Sequence, residues 1–498
     1  MTSQIHSIGV STEAKAVGNV GAVSNALLIL LASCFLLLFW EFEIQIPKSW
    51  LAVSIVLITG VGIWQCTVNG ISISARFFIL LYGLPFFIQL GTLWEDPFIW
   101  WETPLAIQYT MNDGTIEAML SIGLSGLLGL LFGVQLCAAL QLKNKCQFQH
   151  VDESRRAQSA ATLGMLFYLP FVFLALALSW LASSQETIFT NVYATAQTKG
   201  VAQSMNFNAA FLTSYIIFVM CFVDMQLDNQ IARKQFKRWV LALAILFTVV
   251  ILQLLRGDRE CSGLLLSICA LWITETKSGQ FKRVRRFVVP AVSIVLAFIA
   301  IGFLRFELSN RERISVSDVG GMIKKGMTYN TWTGVSLTNL GLAEEYASGM
   351  SFRLGGTYRD YILSLPPGII ARFLGYERPL DGDDAPNRWF EVAGGGMHPV
   401  VVPFANFGIV GAWLILASIG FFISSCDNYG DSRIFSHRFF YGTVLCSSML
   451  WFWYGDMNIV RAIMSYVISV VTYKVCLYAQ GEGRCASFQR INMKHPVY

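Results

Sequence analysis

Three stretches of this sequence combine residue types that could bind an anion and move a proton. The first is Arg256-Gly257-Asp258-Arg259-Glu260, where four charged residues stand between apolar runs. Arginines at i and i+3 would share one helical face, and planar guanidinium groups so placed suit bidentate contact with phosphate. The second is Arg353-Leu-Gly-Gly-Thr-Tyr358-Arg359-Asp360, in which two arginines and a carboxylate sit among glycines and aromatics. The third is Gly394-Gly395-Gly396-Met397-His398-Pro399. Its glycines allow close backbone approach to a ligand or positive φ, and an imidazole can exchange a proton near neutral pH. Plainer readings stand beside each. The first stretch could be an interfacial turn with arginines reaching headgroups, a lone interfacial histidine is more often structural, and most outer arginines are ordinary surface charges.

The elements that must position these residues follow from composition. The chain has 498 residues, of which 55% are apolar and only 13% charged, and its mean hydropathy is +0.55. Soluble domains carry about 25% charged residues. A soluble surface, a disordered chain, a coiled coil and a disulfide-stapled scaffold are all excluded by those figures, and long apolar runs recur down the chain. The expected fold is an all-α polytopic integral membrane protein. With about 20 apolar residues needed per span, about 12 transmembrane helices are expected. They fall at 22–40, 50–68, 77–93, 118–140, 160–181, 239–255, 287–303, 404–424 and 462–478, with shorter or more polar spans at 209–223, 262–273 and 435–453.

Lysine and arginine concentrate in alternate loops, which the positive-inside tendency assigns to the cytoplasm. Arg233, Lys234, Lys237 and Arg238 fill one such loop, and Lys282, Arg283, Arg285 and Arg286 another. The loop from Trp94 to Glu117 holds Glu95, Asp96, Glu102, Asp113 and Glu117 without a base. Both termini are therefore expected in the cytoplasm. The net charge of +5 requires no nucleic-acid partner, because basic inner loops face anionic membrane lipids. The first apolar run lacks a basic flank and a cleavage pattern, so it reads as a retained span. The eleven cysteines lie in spans and inner loops with no zinc-ligand spacing. No Walker-type phosphate loop or internal repeat occurs, and no metal or cofactor is expected.

Three regions result: spans 1 to 9 over residues 1–303, one large extracytoplasmic loop over 304–399, and spans 10 to 12 with a cytoplasmic tail over 400–498. So long a loop argues for a function or fold of its own. Within it, 362–374 carries apolar residues interrupted by Pro366 and Pro367, a pattern for two short interfacial helices broken where proline removes the amide donor. Asp381, Asp383 and Asp384 read as a solvated turn before a cation site. Of the five histidines, the topology places His398 alone outside.

The spans, the large outer loop before the third-last span, and the Arg256-Gly-x-Arg259 step together resemble the Wzy-type O-antigen and oligosaccharide repeat-unit polymerases. So do Tyr361-Ile-Leu-Ser-Leu-Pro-Pro, Gly375-Tyr-Glu-Arg-Pro379, Gly-Gly-Gly-Met-His398-Pro and Asn406-Phe-Gly408-Ile-Val-Gly411. The resemblance covers the architecture of the whole chain, with motifs confined to about 255–265 and 350–411. It implies inverting, metal-independent glycosyl transfer at the periplasmic face of a bacterial inner (cytoplasmic) membrane. The donor would be a glycan on undecaprenyl pyrophosphate, and the acceptor another lipid-linked repeat unit, in O-antigen, capsule or exopolysaccharide synthesis. It further implies that Arg256, Arg259, Arg353, Arg359, Tyr358, Gly395 and Gly396 bind substrate, that His398 or Asp360 is the catalytic base or acceptor-orienting group, and that a chain-length regulator and a flippase are partners.

Two other classes remain open. The O-antigen ligases, which transfer polymer to a lipid A core, share the topology and an outer histidine followed by a glycine pair. Here His398 precedes Pro399 instead of Asn, Ser or Gln, and Gly408 comes one residue earlier. A non-enzymatic transporter of polysaccharide or lipid-linked substrate would place charges at the midplane of the spans, whereas here they gather at one face.

Overall fold

The computed structural model describes residues 2–68, 73–88, 113–140, 352–364, 368–376, 397–430, 435–454 and 457–479, with shorter pieces near 163–174, at 214–219, and at 340 and 343. Every element there is helical. In chain order these are α1 (Thr2–Glu41), α2 (Lys48–Val68), α3 (Ile73–Ile88), α4 (Asp113–Leu140), α5 (Gly356–Ser364), α6 (Gly368–Phe373), α7 (Val401–Gly430), α8 (Phe435–Tyr454) and α9 (Met457–Ala479).

Five stretches are long and apolar enough to cross a membrane: Gly21–Glu41, Lys48–Cys66, Thr115–Leu140, Val401–Cys426 and Ala462–Ala479, with Ser74–Phe87 a shorter apolar helix. The chain is thus an α-helical membrane protein. These correspond to the expected spans at 22–40, 50–68, 118–140, 404–424, 462–478 and 77–93. The spans expected at 239–255, 262–273 and 287–303, and most of 160–181 and 209–223, lie outside the described residues. The helix expected from residue 77 starts at Ile73, where Ser74, buried on the bundle side, donates to the Ile423 carbonyl.

The chain divides into two compact units, one of residues 1–147, 313–428 and 448–458, the other of 148–312, 429–447 and 459–498. In the first unit α1, α2 and α3 pack around α4. Small residues decide the approach of α4 to α7. A Cβ on Gly129 would strike the Trp413 carbonyl, one on Gly133 the Ala417 carbonyl, and one on Gly420 the Leu130 carbonyl. Gly129-Leu-Leu-Phe-Gly133 is a small-xxx-small stripe, which in lipid supplies close backbone packing where hydrophobicity supplies little drive. Ser33 of α1 adds a polar tie, donating to the Ile29 carbonyl and accepting from Trp413 Nε1 at 2.9 Å.

Helix directions follow from the contacts. Ser125 meets Ile409, Gly129 meets Trp413 and Gly133 meets Ala417, so α4 and α7 run parallel. Ser74 meets Ile423 while Tyr82 meets His398, so α3 runs opposite to α7.

In the second unit, Tyr168, Ser214 and Ser469 form a buried hydroxyl triangle with edges of 3.0–3.2 Å. Phe218 packs on Tyr168 and Phe439. Hydroxyls shared between helices satisfy their polar atoms without water, which an apolar surrounding demands.

Candidate functional site

Residues 352–360 form a strap that docks on the amino-terminal end of α7. The Arg353 amide donates to the Ala405 carbonyl at 3.2 Å and the Leu354 amide to the Asn406 carbonyl at 3.0 Å. Asn406, fully buried, adds its side chain: Oδ1 accepts from the amides of Gly355 at 3.1 Å and Thr357 at 3.3 Å, and Nδ2 donates to the Val402 carbonyl at 2.8 Å. A helix start leaves its first amides without intrahelical partners, and Asn406 caps α5 from another helix.

The strap can enter because α7 is broken. Gly408 has φ 69° and ψ −167° within the helix, a conformation that is almost restricted to glycine. Phe352 fills the space its missing side chain leaves, so that a Cβ on Gly408 would lie 3.0 Å from the Phe352 ring. On the strap, Leu354 (φ 47°) and Gly355 (φ 86°) take the left-handed turn that starts α5. The ring of Tyr358 then stacks on Phe407 with centroids 6.1 Å apart and an interplanar angle of 11°.

This docking brings together two sequence motifs that lie far apart in the chain: Arg353 to Asp360, and Asn406-Phe-Gly408. Arg353 is half-buried at the dock. The Arg359 side chain is 72% exposed and pairs with Asp360, which is 17% exposed, through Nε at 3.2 Å and Nη2 at 3.1 Å. Guanidinium and carboxylate are thus adjacent on one accessible edge. That arrangement can hold an anion and accept a proton at neighbouring points.

The expected pair of short helices around Pro366 and Pro367 is present as α5 and α6, ending at Ser364 and starting at Gly368. Gly375 (φ 78°) closes α6 in a Schellman turn, with Tyr376 N donating to the Ala371 carbonyl and Gly375 N to the Arg372 carbonyl. Tyr376 Oη ties the pair together through the Leu363 carbonyl at 2.9 Å. Leu354, Ile362, Phe373 and Leu374 all stand exposed. An apolar surface beside a membrane-crossing helix suits the headgroup boundary.

His398 is placed differently from the strap residues. It is 1% exposed, with its ring edge-on to Tyr82 at 4.5 Å and Phe86 at 5.2 Å. Nε2 is 3.1 Å from the Tyr82 carbonyl, which can only accept, so this nitrogen carries the proton. Nδ1 accepts from the Val400 amide at 3.4 Å. Burial pushes the imidazole down to about 4, against the smaller upward pull of the Tyr82 carbonyl. The group is neutral, with both nitrogens engaged. The main-chain carbonyl of His398 accepts from Val401 N at the start of α7, so the residue joins that helix start through its backbone and α3 through its ring.

Arg256, Arg259, Gly395 and Gly396 lie outside the described residues. Asn406, Tyr82 and Phe86 were not singled out as site residues by the sequence. An amide inside an apolar run was the available signal for Asn406. Nothing local marks Tyr82 or Phe86.

Comparison with protein-family models, curated proteins and solved structures gives no match.

Proposed function

We propose that the protein is a polymerase that joins undecaprenyl-pyrophosphate-linked oligosaccharide repeat units at the periplasmic face of a bacterial inner membrane, with both termini in the cytoplasm. The observation that carries the reading is the docking of Arg353 to Asp360 onto Asn406-Phe-Gly408. It gathers cations and a carboxylate at one end of a membrane bundle, beside apolar short helices. A substrate with a charged pyrophosphate and a lipid tail needs those two surfaces in that proximity.

In this reading the acceptor hydroxyl attacks the anomeric carbon of the donor glycan from the side opposite the pyrophosphate. Its proton passes to the Asp360 carboxylate as the new carbon–oxygen bond forms. The bond to pyrophosphate breaks with its electron pair, and the charge that develops on the leaving oxygen is stabilised by Arg353 and Arg359, joined by Arg256 and Arg259. Arg359 is exposed enough to turn from Asp360 toward the incoming pyrophosphate, which frees the carboxylate as base. Asp360 is preferred to His398 because an imidazole sealed between aromatic rings with both nitrogens bonded offers no site for a hydroxyl. His398 instead ties the start of α7 to Tyr82 and Phe86 of α3. No metal or cofactor takes part.

The test is deletion of the gene in its host, followed by complementation with wild type, Arg353→Ala, Asp360→Asn and His398→Ala, each checked for membrane level. Surface glycan is then resolved by gel. Collapse of polymer to single repeat units, restored by wild type but not by the first two variants, is expected. Polymer accumulating on its lipid carrier would mean a ligase, and unchanged glycan would reject glycosyl transfer in favour of transport.

A further inference from the structure

We infer that Asn406 is a positioning residue that sets the Arg353 to Asp360 strap in register on α7. The inference rests on the polymerase reading, since it concerns the same strap. An asparagine at 0% exposure in an apolar helix is costly unless its amide is satisfied. Here its side chain makes three hydrogen bonds and its main-chain carbonyl a fourth, to Leu354 N. Three of these four reach the strap, and the fourth, to the Val402 carbonyl, fixes the amide so that Oδ1 faces Gly355 and Thr357. The arrangement has a direction: only an oxygen can meet the two strap amides, and only an N–H can meet Val402. Asparagine supplies both.

Besides Asn406, the strap is held by the Arg353 amide on the Ala405 carbonyl and by the Tyr358 ring on Phe407, neither of which meets the amides of Gly355 and Thr357. Leu354 is 81% exposed and Phe352 43% exposed, and the left-handed turn at Leu354 is unfavourable for a non-glycine residue. Without the Oδ1 contacts, the Gly355 amide just before α5 and the Thr357 amide in its first turn would lose their acceptor. The cations and the carboxylate of the strap would then have no constant place relative to α7. A misplacement of about 1 Å in reacting groups is enough to lower a rate by about a hundredfold.

Thr357 provides a direct reading of the docked state, because it is 2% exposed and close in size to cysteine. In the full chain in membranes, N-ethylmaleimide labelling of the thiol introduced by Thr357→Cys is followed by peptide mass spectrometry, with the native buried Cys137 as an internal reference. Asn406→Ala is expected to speed labelling at the introduced thiol about tenfold, to leave Cys137 protected, and to abolish long surface polymer in the complemented host. Asn406→Asp keeps the acceptor and loses the donor, so both readouts should recover in part. Labelling equal to that of the unsubstituted Asn406 protein would overturn the inference and leave the polymerase reading untouched. A rise at Cys137 as well would make Asn406 a general folding residue and also overturn it, as would faster labelling with normal polymer. A host whose glycan does not depend on the gene would instead remove the polymerase reading, while the labelling still reports on the clamp.

Discussion

His398 and Tyr82 are joined twice: the rings meet edge to face with centroids 4.5 Å apart, and the imidazole Nε2 donates to the main-chain carbonyl of the same tyrosine at 3.1 Å. Tyr82 in turn sends its hydroxyl to the Gly123 carbonyl at 2.8 Å. One tyrosine therefore ties α3 to α4 and, through His398, to the start of α7. A Cβ on Gly126 would collide with that hydroxyl, so the glycine is what admits it.

Burial of His398 should make the stability of the protein pH-dependent, the bond to the Tyr82 carbonyl opposing the effect in part. The folded imidazole takes a proton only near pH 4, while the unfolded chain takes one near 6.5. The unfolded state therefore binds more protons between these values, and stability falls as pH drops through that window. The loss should be on the order of 3 kcal/mol at pH 4. Thermal unfolding of purified protein at pH 7.5 and 4.5 should show a pH-sensitive drop that His398→Gln reduces. An equal drop in both proteins would contradict it.

Gly408→Ala should be strongly destabilising at the strap. The residue sits at φ 69°, and a methyl group would also press on Phe352. A cost of about 1–3 kcal/mol is expected from the backbone alone. The same variant with Phe352→Leu should recover only the part due to the ring, since the dihedral is unchanged. Full recovery in unfolding measurements would locate the cost in the ring contact.

Gly133→Val should separate α4 from α7. The Ala417 carbonyl and the Phe421 amide occupy the place of the added side chain, and the collision is with backbone, which cannot turn away. Overpacking of this kind costs about 1–3 kcal/mol or more. Gly21→Val, in α1, meets nothing within 4 Å and should leave the melting temperature close to wild type apart from a small helix-propensity change.

Arg359→Ala should separate function from stability. Its side chain is 72% exposed, and an exposed ion pair contributes at most about 1 kcal/mol. Unfolding should thus be nearly unchanged, while polymer formation should fall at least about tenfold if the guanidinium stabilises a leaving pyrophosphate. Arg359→Lys, which keeps charge but loses the bidentate fork, should be intermediate. Normal polymer from a well-expressed Arg359→Ala would remove this arginine from the site.

Much of the membrane architecture was legible without coordinates because its determinants are local. Apolar length alone marks the crossings at 22–40, 50–68, 118–140, 404–424 and 462–478, and the Pro366-Pro367 pair predicts two short helices in place of one because proline lacks the amide donor. The glycines of α4 were visible as residues. Their purpose was not, because a small-xxx-small stripe does not say which helix approaches it.

The sequence by itself determined which chemistry is present: arginines beside a carboxylate at 353–360, a histidine after three glycines, and an asparagine two residues before Gly408. The tertiary structure decided what each group can do. Asn406-Phe-Gly408 reads locally as continuous helix, and the break in α7 exists alongside a strap some 50 residues earlier in the chain that bonds to the Ala405 and Asn406 carbonyls. His398 reads as a titrating group, yet its state depends on Tyr82 and Phe86, more than 300 residues away, which exclude water and occupy Nε2. Residue type fixes the available protons and charges, but burial and partners set whether they can be used, and those come from parts of the chain that meet only in the fold.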